Sequence, residues 1–176
     1  TTAEVIPACV KGRKASHLVT GYVHKPYPRV YAMLARSWGY DSCLMVRGVE
    51  GGVIPSLRQK ATMYRYADGG AEHPLDTDPA DLGIEQSIRA VTLPEEPEKG
   101  ASGDVTRPFD AEAAAAATAA LGLGALDGEP GPTRDGLVYG AALVLYHLGR
   151  HATMAEAAQA ARRAIDSGAA RARFRG

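Results

Sequence analysis

Cysteine is scarce: the 176 residues hold two, Cys9 and Cys43. That excludes a disulfide scaffold and any zinc ribbon built on paired CxxC motifs. Both thiols read as small buried hydrophobes, since neither sits in a motif with a histidine or an acid. Long apolar runs are also missing. No stretch approaches the roughly 20 residues that span a bilayer, so the chain does not read as a membrane protein. A basic-plus-apolar leader is absent too, and a cytoplasmic protein is expected. The chain opens at Thr1 rather than Met, which reads as trimming, processing or excision from something longer. No internal repeat is found. What remains is ordinary globular composition, with 45% hydrophobic and 23% charged residues. The length suits one domain over 1–176, large enough to bury a core without staples.

Charge of one sign is not in excess overall, since 20 basic residues balance 20 acidic ones. The distribution is uneven. Residues 1–66 are basic, 67–131 acidic, and 132–176 basic again. A basic segment of this kind suits an anionic partner, or it neutralises the acidic middle within one fold.

The element pattern is α/β. Residues 17–24 are β-branched and apolar enough for a strand. Pro28 suits a first helical turn, Val30, Leu34, Ala35 and Trp38 follow at helical spacing, and Gly39 closes the helix. Residues 42–47 read as a buried parallel strand ending in a glycine-rich turn, Arg47-Gly48-Val49-Glu50-Gly51-Gly52. Strand, helix, strand implies a right-handed crossover and a parallel-strand sheet with flanking helices. Residues 60–66 alternate, with Thr62, Tyr64 and Tyr66 on one face and Ala61, Met63 and Arg65 on the other. Asp68-Gly69-Gly70 turns them into a hairpin with 71–75, expected at or outside the sheet edge. Asp78-Pro79 caps a single helical turn ending at Gly83. Residues 94–104 read as a loop. Asp110 caps a helix over 111–121, broken up by Gly122, Gly124, Gly128 and Gly131. A second helix runs from Thr133 to Leu148, with Leu137, Ala141, Val144, Leu145 and Leu148 as its buried stripe. Thr153 and Glu156 form a capping box for a third helix to Ile165, and residues 169–175 add a final turn or two.

Several residues invite a functional reading. Lys11, Arg13 and Lys14 form a cluster suited to phosphate contacts, or a solvated loop. Arg58, Lys60 and Arg65, interleaved with Tyr64 and Tyr66, suit a single-strand-binding surface, or a packed sheet face. His147 and His151 are four apart, but Gly149 ends the helix between them, which argues against a metal pair. Arg134 and Asp135 at a helix start read as a cap and ion pair.

The order of motifs resembles a known family. Residues 19–52, VTGYVHKPYPRVYAMLARSWGYDSCLMVRGVEGG, resemble a helix, strand and glycine loop of anthranilate phosphoribosyltransferase. That enzyme is a member of glycosyltransferase family 3, which includes the pyrimidine nucleoside phosphorylases. LDGEPGPTRDGLVYGAALVLYHLGR and AEAAQAARRAIDSGAARARF resemble the family's closing helices. The resemblance runs from Val10 to the end. It implies the C-terminal part of a phosphoribosyltransferase-type α/β domain. The family's Gly-Thr-Gly-Gly-Asp loop and its N-terminal helical region have no counterpart here.

The resemblance also implies what is lost. The family's strand-end loop finishes with an Asp-Glu pair that holds Mg²⁺, a cation that wants oxygen ligands. That pair falls on Val53 and Ile54. The family's histidine is Arg47. Arg47-Gly48-Val49-Glu50-Gly51 is similar to a paralogous branch that lacks the biosynthetic activity and binds DNA without sequence preference. The expectation is therefore a degenerate family member with impaired or absent transferase activity. No metal or cofactor is expected in this chain. Lys11, Arg13, Lys14, Arg47, Arg58, Lys60 and Arg65 are the candidate phosphate-binding cations, beside the glycine loop of Gly48, Glu50, Gly51 and Gly52. Single-stranded nucleic acid is the expected ligand, and a second copy or a complementary chain the expected partner. The alternatives are half of an active, Mg²⁺-dependent phosphoribosyltransferase completed by another segment, and a structural assembly subunit.

Overall fold

The computed structural model describes residues 6, 7, 10–92 and 110–175. Cys9 and the 94–104 loop lie outside the described residues. Strand β1 (His17–Gly21) leads into helix α1 (Tyr27–Ser37), which crosses to β2 (Ser42–Val46). β1 and β2 are parallel, with His17 opposite Ser42 and Gly21 opposite Val46. The expected βαβ unit is present. Pro28 sits inside the first turn of α1, and Gly39 follows its end with a φ of +79°. That left-handed conformation favours a residue without a Cβ.

The expected hairpin completes the sheet on the side away from β1. β3 (Ala61–Tyr66) pairs antiparallel with β2, and β4 (His73–Thr77) antiparallel with β3. The sheet is therefore mixed, in the order β1-β2-β3-β4. The hairpin forms one edge of the sheet, one of the two places expected for it, and supplies two of its strands. The reason is connectivity: residues 47–60 form no α-helix to carry the chain back across the sheet, and a return without such a crossover pairs antiparallel.

β2 is buried along its whole length, and its alternation feeds two cores. Cys43 and Met45 point to one face, where Tyr22, Tyr31, Ala32, Ala35 and Tyr66 pack. Leu44 and Val46 point to the other, against Met63 and helices α3 (Pro132–His147) and α4 (Met154–Asp166). Burial pushes the Cys43 thiol up to about 12, so it is no nucleophile at neutral pH. Met63 and the Tyr64/Tyr66 pair divide between the two faces as the alternation implied.

The helical stripes are corrected in part, since Ala35 is buried and Leu34 packs beside it. In α1 the buried residues are Pro28, Tyr31, Ala32 and Ala35, while Val30 and Trp38 are exposed. In α3 they are Val138, Tyr139, Ala142, Leu143 and His147; Ala141, Val144 and Leu145 are half-buried against the same core, while Leu137 and Leu148 are exposed. α3 packs against the sheet and α4 together, so its buried arc is rotated from the one the leucines mark. Helix α2 (Ala111–Leu126) starts at Asp110, whose carboxylate accepts from the Ala113 N–H at 2.9 Å. It continues through Gly122 and Gly124 instead of breaking there. Glu129 folds back so that its N–H donates to the Gly124 carbonyl, and a Cβ on Gly124 would meet the Glu129 carboxylate. The capping box at Thr153 and Glu156 is present. Helix α5 (Ala169–Arg175) follows Gly168. Among the described residues no helix is long and apolar enough to cross a membrane.

Candidate anion-binding site

The C-terminal end of β2 carries Arg47, and the chain then turns sharply. The Val49 N–H donates to the Ile54 carbonyl at 2.9 Å, and the Gly52 N–H to the Val49 carbonyl at 3.0 Å. Glu50 is held at φ +54° and Gly51 at φ +79°. Glu50 is thus a non-glycine residue in the left-handed region, a strained conformation of the kind that clusters at functional loops. The loop folds back over the end of β1. A Cβ on Gly21 would collide with the carbonyl oxygens of Gly51 and Gly52, and one on Gly48 with that of Gly52. Both positions need glycine for close backbone approach rather than for dihedral freedom.

Beyond the loop, the buried Ser56 hydroxyl accepts from the N–H groups of Arg58 and Gln59. The Leu57 N–H donates to the Arg89 carbonyl at 2.9 Å, which brings Arg89 to the same place. A small cleft results, walled by Arg47, Gly48, Gln59, Lys60 and Arg89, with no carboxylate among its lining residues. Arg47, Gln59 and Lys60 also wall a second, wider cleft of about 810 Å³, whose far side carries Asp76, Asp78 and Asp81. Lys60 bonds to Asp78 at 2.8 Å; the contact raises the ammonium pKa and lowers that of the carboxylate. The lysine is exposed, so this pair adds little stability. Tyr22 lies near Arg47. Burial raises its pKa, and the Arg47 charge opposes that rise.

The seven cations named from sequence do not form one surface. Arg47 and Lys60 line the clefts at the C-terminal end of β2, and Arg58 lies on the segment between them. Arg58 reaches the Ser87 carbonyl at 3.2 Å. Lys11, Arg13 and Lys14 are exposed, but they precede β1 and so lie at the opposite end of the sheet. A Cβ on Gly39 would meet the Lys11 ammonium, which places that lysine beside the C-terminal end of α1. Five residues of strand separate the two groups, about 15 Å. Arg65 packs its guanidinium over the Tyr146 ring at 5.1 Å. Arg89 was missed because no local motif marks it; only the backbone bond to Leu57 brings it in. Arg134 pairs with Asp166 rather than with its neighbour, and Asp135 accepts from Gln86.

Val53 and Ile54 are 48% and 57% exposed. They line an apolar hollow of about 940 Å³ between the sheet, α2 and α3, which Val19, Leu121, Leu137 and Val144 share. Neither offers an oxygen to a divalent cation, and Glu50 is the loop's one carboxylate. The residues here do not fit a Mg²⁺ site of the family's kind.

No protein-family model matches the sequence, and no curated protein matches it. A solved structure does match in fold: anthranilate phosphoribosyltransferase (TrpD) from Thermus thermophilus. The TM-score is 0.51 and the identity 17%, over 86% of this chain. The match spans 39% of that chain, so this chain corresponds to well under half the length of the enzyme it resembles. The shared α/β fold is the finding at this identity.

Proposed function

We propose that this chain is a degenerate phosphoribosyltransferase-like protein that binds phosphate groups without metal-assisted transfer. The observation that carries the reading is the cleft at the end of β2. Arg47 and Arg89 line it beside Gly48, with Lys60 at its rim paired to Asp78, while apolar Val53 and Ile54 stand where the family resemblance places metal ligands. Convergent cations on a glycine loop suit phosphate oxygens. Exposed cations of this kind read a backbone rather than bases, so single-stranded nucleic acid is the proposed ligand.

The test is a fluorescence anisotropy titration with labelled single-stranded DNA across a salt series. Two to three phosphates contacted at one end give a log–log slope of about −1.4 to −2. Arg47→Glu with Arg89→Glu is expected to weaken binding by at least roughly tenfold across unrelated sequences and to flatten that slope. Lys11→Glu with Lys14→Glu, at the far end of the sheet, is the comparison and should cost much less. Equal losses from the two pairs would contradict a localised site. Micromolar, Mg²⁺-dependent binding of phosphoribosyl pyrophosphate would overturn the whole reading in favour of an active transferase half. No binding to either ligand at low salt would leave an assembly role.

A further inference from the structure

We infer that Ser42, held between the imidazoles of His17 and His147, is an acid-released latch fastening the C-terminal end of α3 to the sheet. The inference does not depend on the proposed ligand, because the latch lies at the opposite end of β2 from the loop. His17 opens β1, Ser42 opens β2, and His147 closes α3. The Ser42 hydroxyl lies 2.7 Å from His17 Nδ1 and 2.8 Å from His147 Nε2. Ser42 and His147 are each 5% exposed, whereas His17 is exposed. His147 Nδ1 is buried without a hydrogen-bond partner among the described residues.

The proton inventory explains the sensitivity. A serine hydroxyl has one hydrogen to donate and two lone pairs to accept with. With His147 neutral, the hydroxyl donates to one imidazole and accepts from the other. When His17 is protonated, its Nδ1–H donates to Ser42, and Ser42 donates to His147 Nε2. The chain then runs in one direction and every member is satisfied except His147 Nδ1. Protonating His147 as well turns Nε2 into a donor. Two N–H groups then point at one oxygen, and the hydroxyl hydrogen loses its acceptor. Two cations also face each other across that oxygen.

No carboxylate is hydrogen-bonded to His147 among the described residues to offset the charge. The groups that bear on it are Arg65 from β3 and His17 from β1, and both oppose a cation. Asp41, next to Ser42, turns its carboxylate to the Ser16 N–H at 2.7 Å. Burial first, then Arg65 and His17, lower the His147 pKa to about 4 from the ordinary 6.5. The unfolded or detached imidazole therefore takes up its proton first as pH falls. The latch is fully closed above pH 6.5 and weakens progressively down to about 4. What it releases is α3, which carries Val138, Tyr139, Ala142 and Leu143 into one core. The α1 layer belongs to the other core and is not fastened by it.

The test is amide hydrogen exchange resolved by helix, with a histidine Cε1–H NMR titration alongside. From about pH 7 to about pH 4.5, opening of the last turns of α3 should increase on the order of fiftyfold after correction for intrinsic exchange. The amides of α1 should change far less. His147→Gln keeps an N–H for Ser42 but cannot charge, so it should abolish the acid-specific increase. Ser42→Ala should loosen α3 at neutral pH already. Arg65→Gln and His17→Gln should each raise the His147 titration. The inference fails if His147 titrates near its ordinary value with α3 still protected. It also fails if α1 and α3 open together, or if His147→Gln keeps the acid profile of the unmodified chain.

Discussion

Gly48→Ala is expected to destabilise the protein by about 3 kcal/mol, the upper end for forcing an atom into a packed site. The backbone at Gly48 is extended, with φ −81° and ψ 163°, so the dihedrals alone would admit alanine. The obstacle is the Gly52 carbonyl, which a new methyl would overlap. Its oxygen belongs to a turn pinned by the Gly52–Val49 and Val49–Ile54 hydrogen bonds, so it cannot retreat without opening the loop. Gly21→Ala meets the same loop from the neighbouring strand and should behave alike. Gly122→Ala is the opposite case. That glycine is inside α2 with open space beside it, and alanine there should stabilise by up to about 1 kcal/mol. Urea unfolding midpoints separate these outcomes. A Gly48→Ala protein within about 0.5 kcal/mol of the unmodified chain would mean that the loop yields freely. The cleft beside Arg47 would then not be preorganised.

The second large effect is Leu44→Ala, expected to cost about 3–4 kcal/mol within the usual range for a buried leucine. Leu44 is 0% exposed on the central strand and packs against α3 and α4. Neighbouring strands hold the cavity walls on both sides, so little collapse can offset the lost methylenes. Ile54→Ser is the contrast. It also removes a branched apolar side chain, but one that is 57% exposed, and its cost should stay near or below about 1 kcal/mol. Equal midpoints for the two variants would mean that the hollow around Ile54 is covered in solution.

Strand β2 was legible because an apolar run between a helix-ending glycine and a glycine-rich turn has few other solutions. The caps at Asp78, Asp110 and Thr153 were legible for a local reason: a side-chain acceptor and its N–H lie within three residues. The helix faces were legible only in part. Leu137 and Leu148 look like core residues by type, but α3 buries the arc it shares with α4, and no local pattern records where α4 will lie. The candidate site divides the same way. Arg47 and Gly48 stand out beside a strand end, while Arg89 arrives through a tertiary backbone bond. Lys11 and Arg47 look equivalent as charges along the chain, yet β1 holds their groups at opposite ends of the sheet.

The mixed pairing of β2 also sets an order of assembly. On one side it meets a hairpin whose strands are joined by a short turn, 67–72, which closes within microseconds. On the other it meets β1, and that parallel contact forms only after the chain between them has wound into α1 and crossed over. Strand β2 reaches the hairpin across residues 47–60 and β1 across residues 22–41, so the second loop is the longer one, and its entropy is lost before any ladder bond repays it. The hairpin half should therefore be structured in the folding transition state, and the β1 half should join late. Folding-rate measurements on Met63→Ala and Val19→Ala would show it, with the first slowing folding and the second mainly speeding unfolding. A polypeptide whose central strand is recruited from its local side first is, kinetically, a hairpin that acquires a crossover.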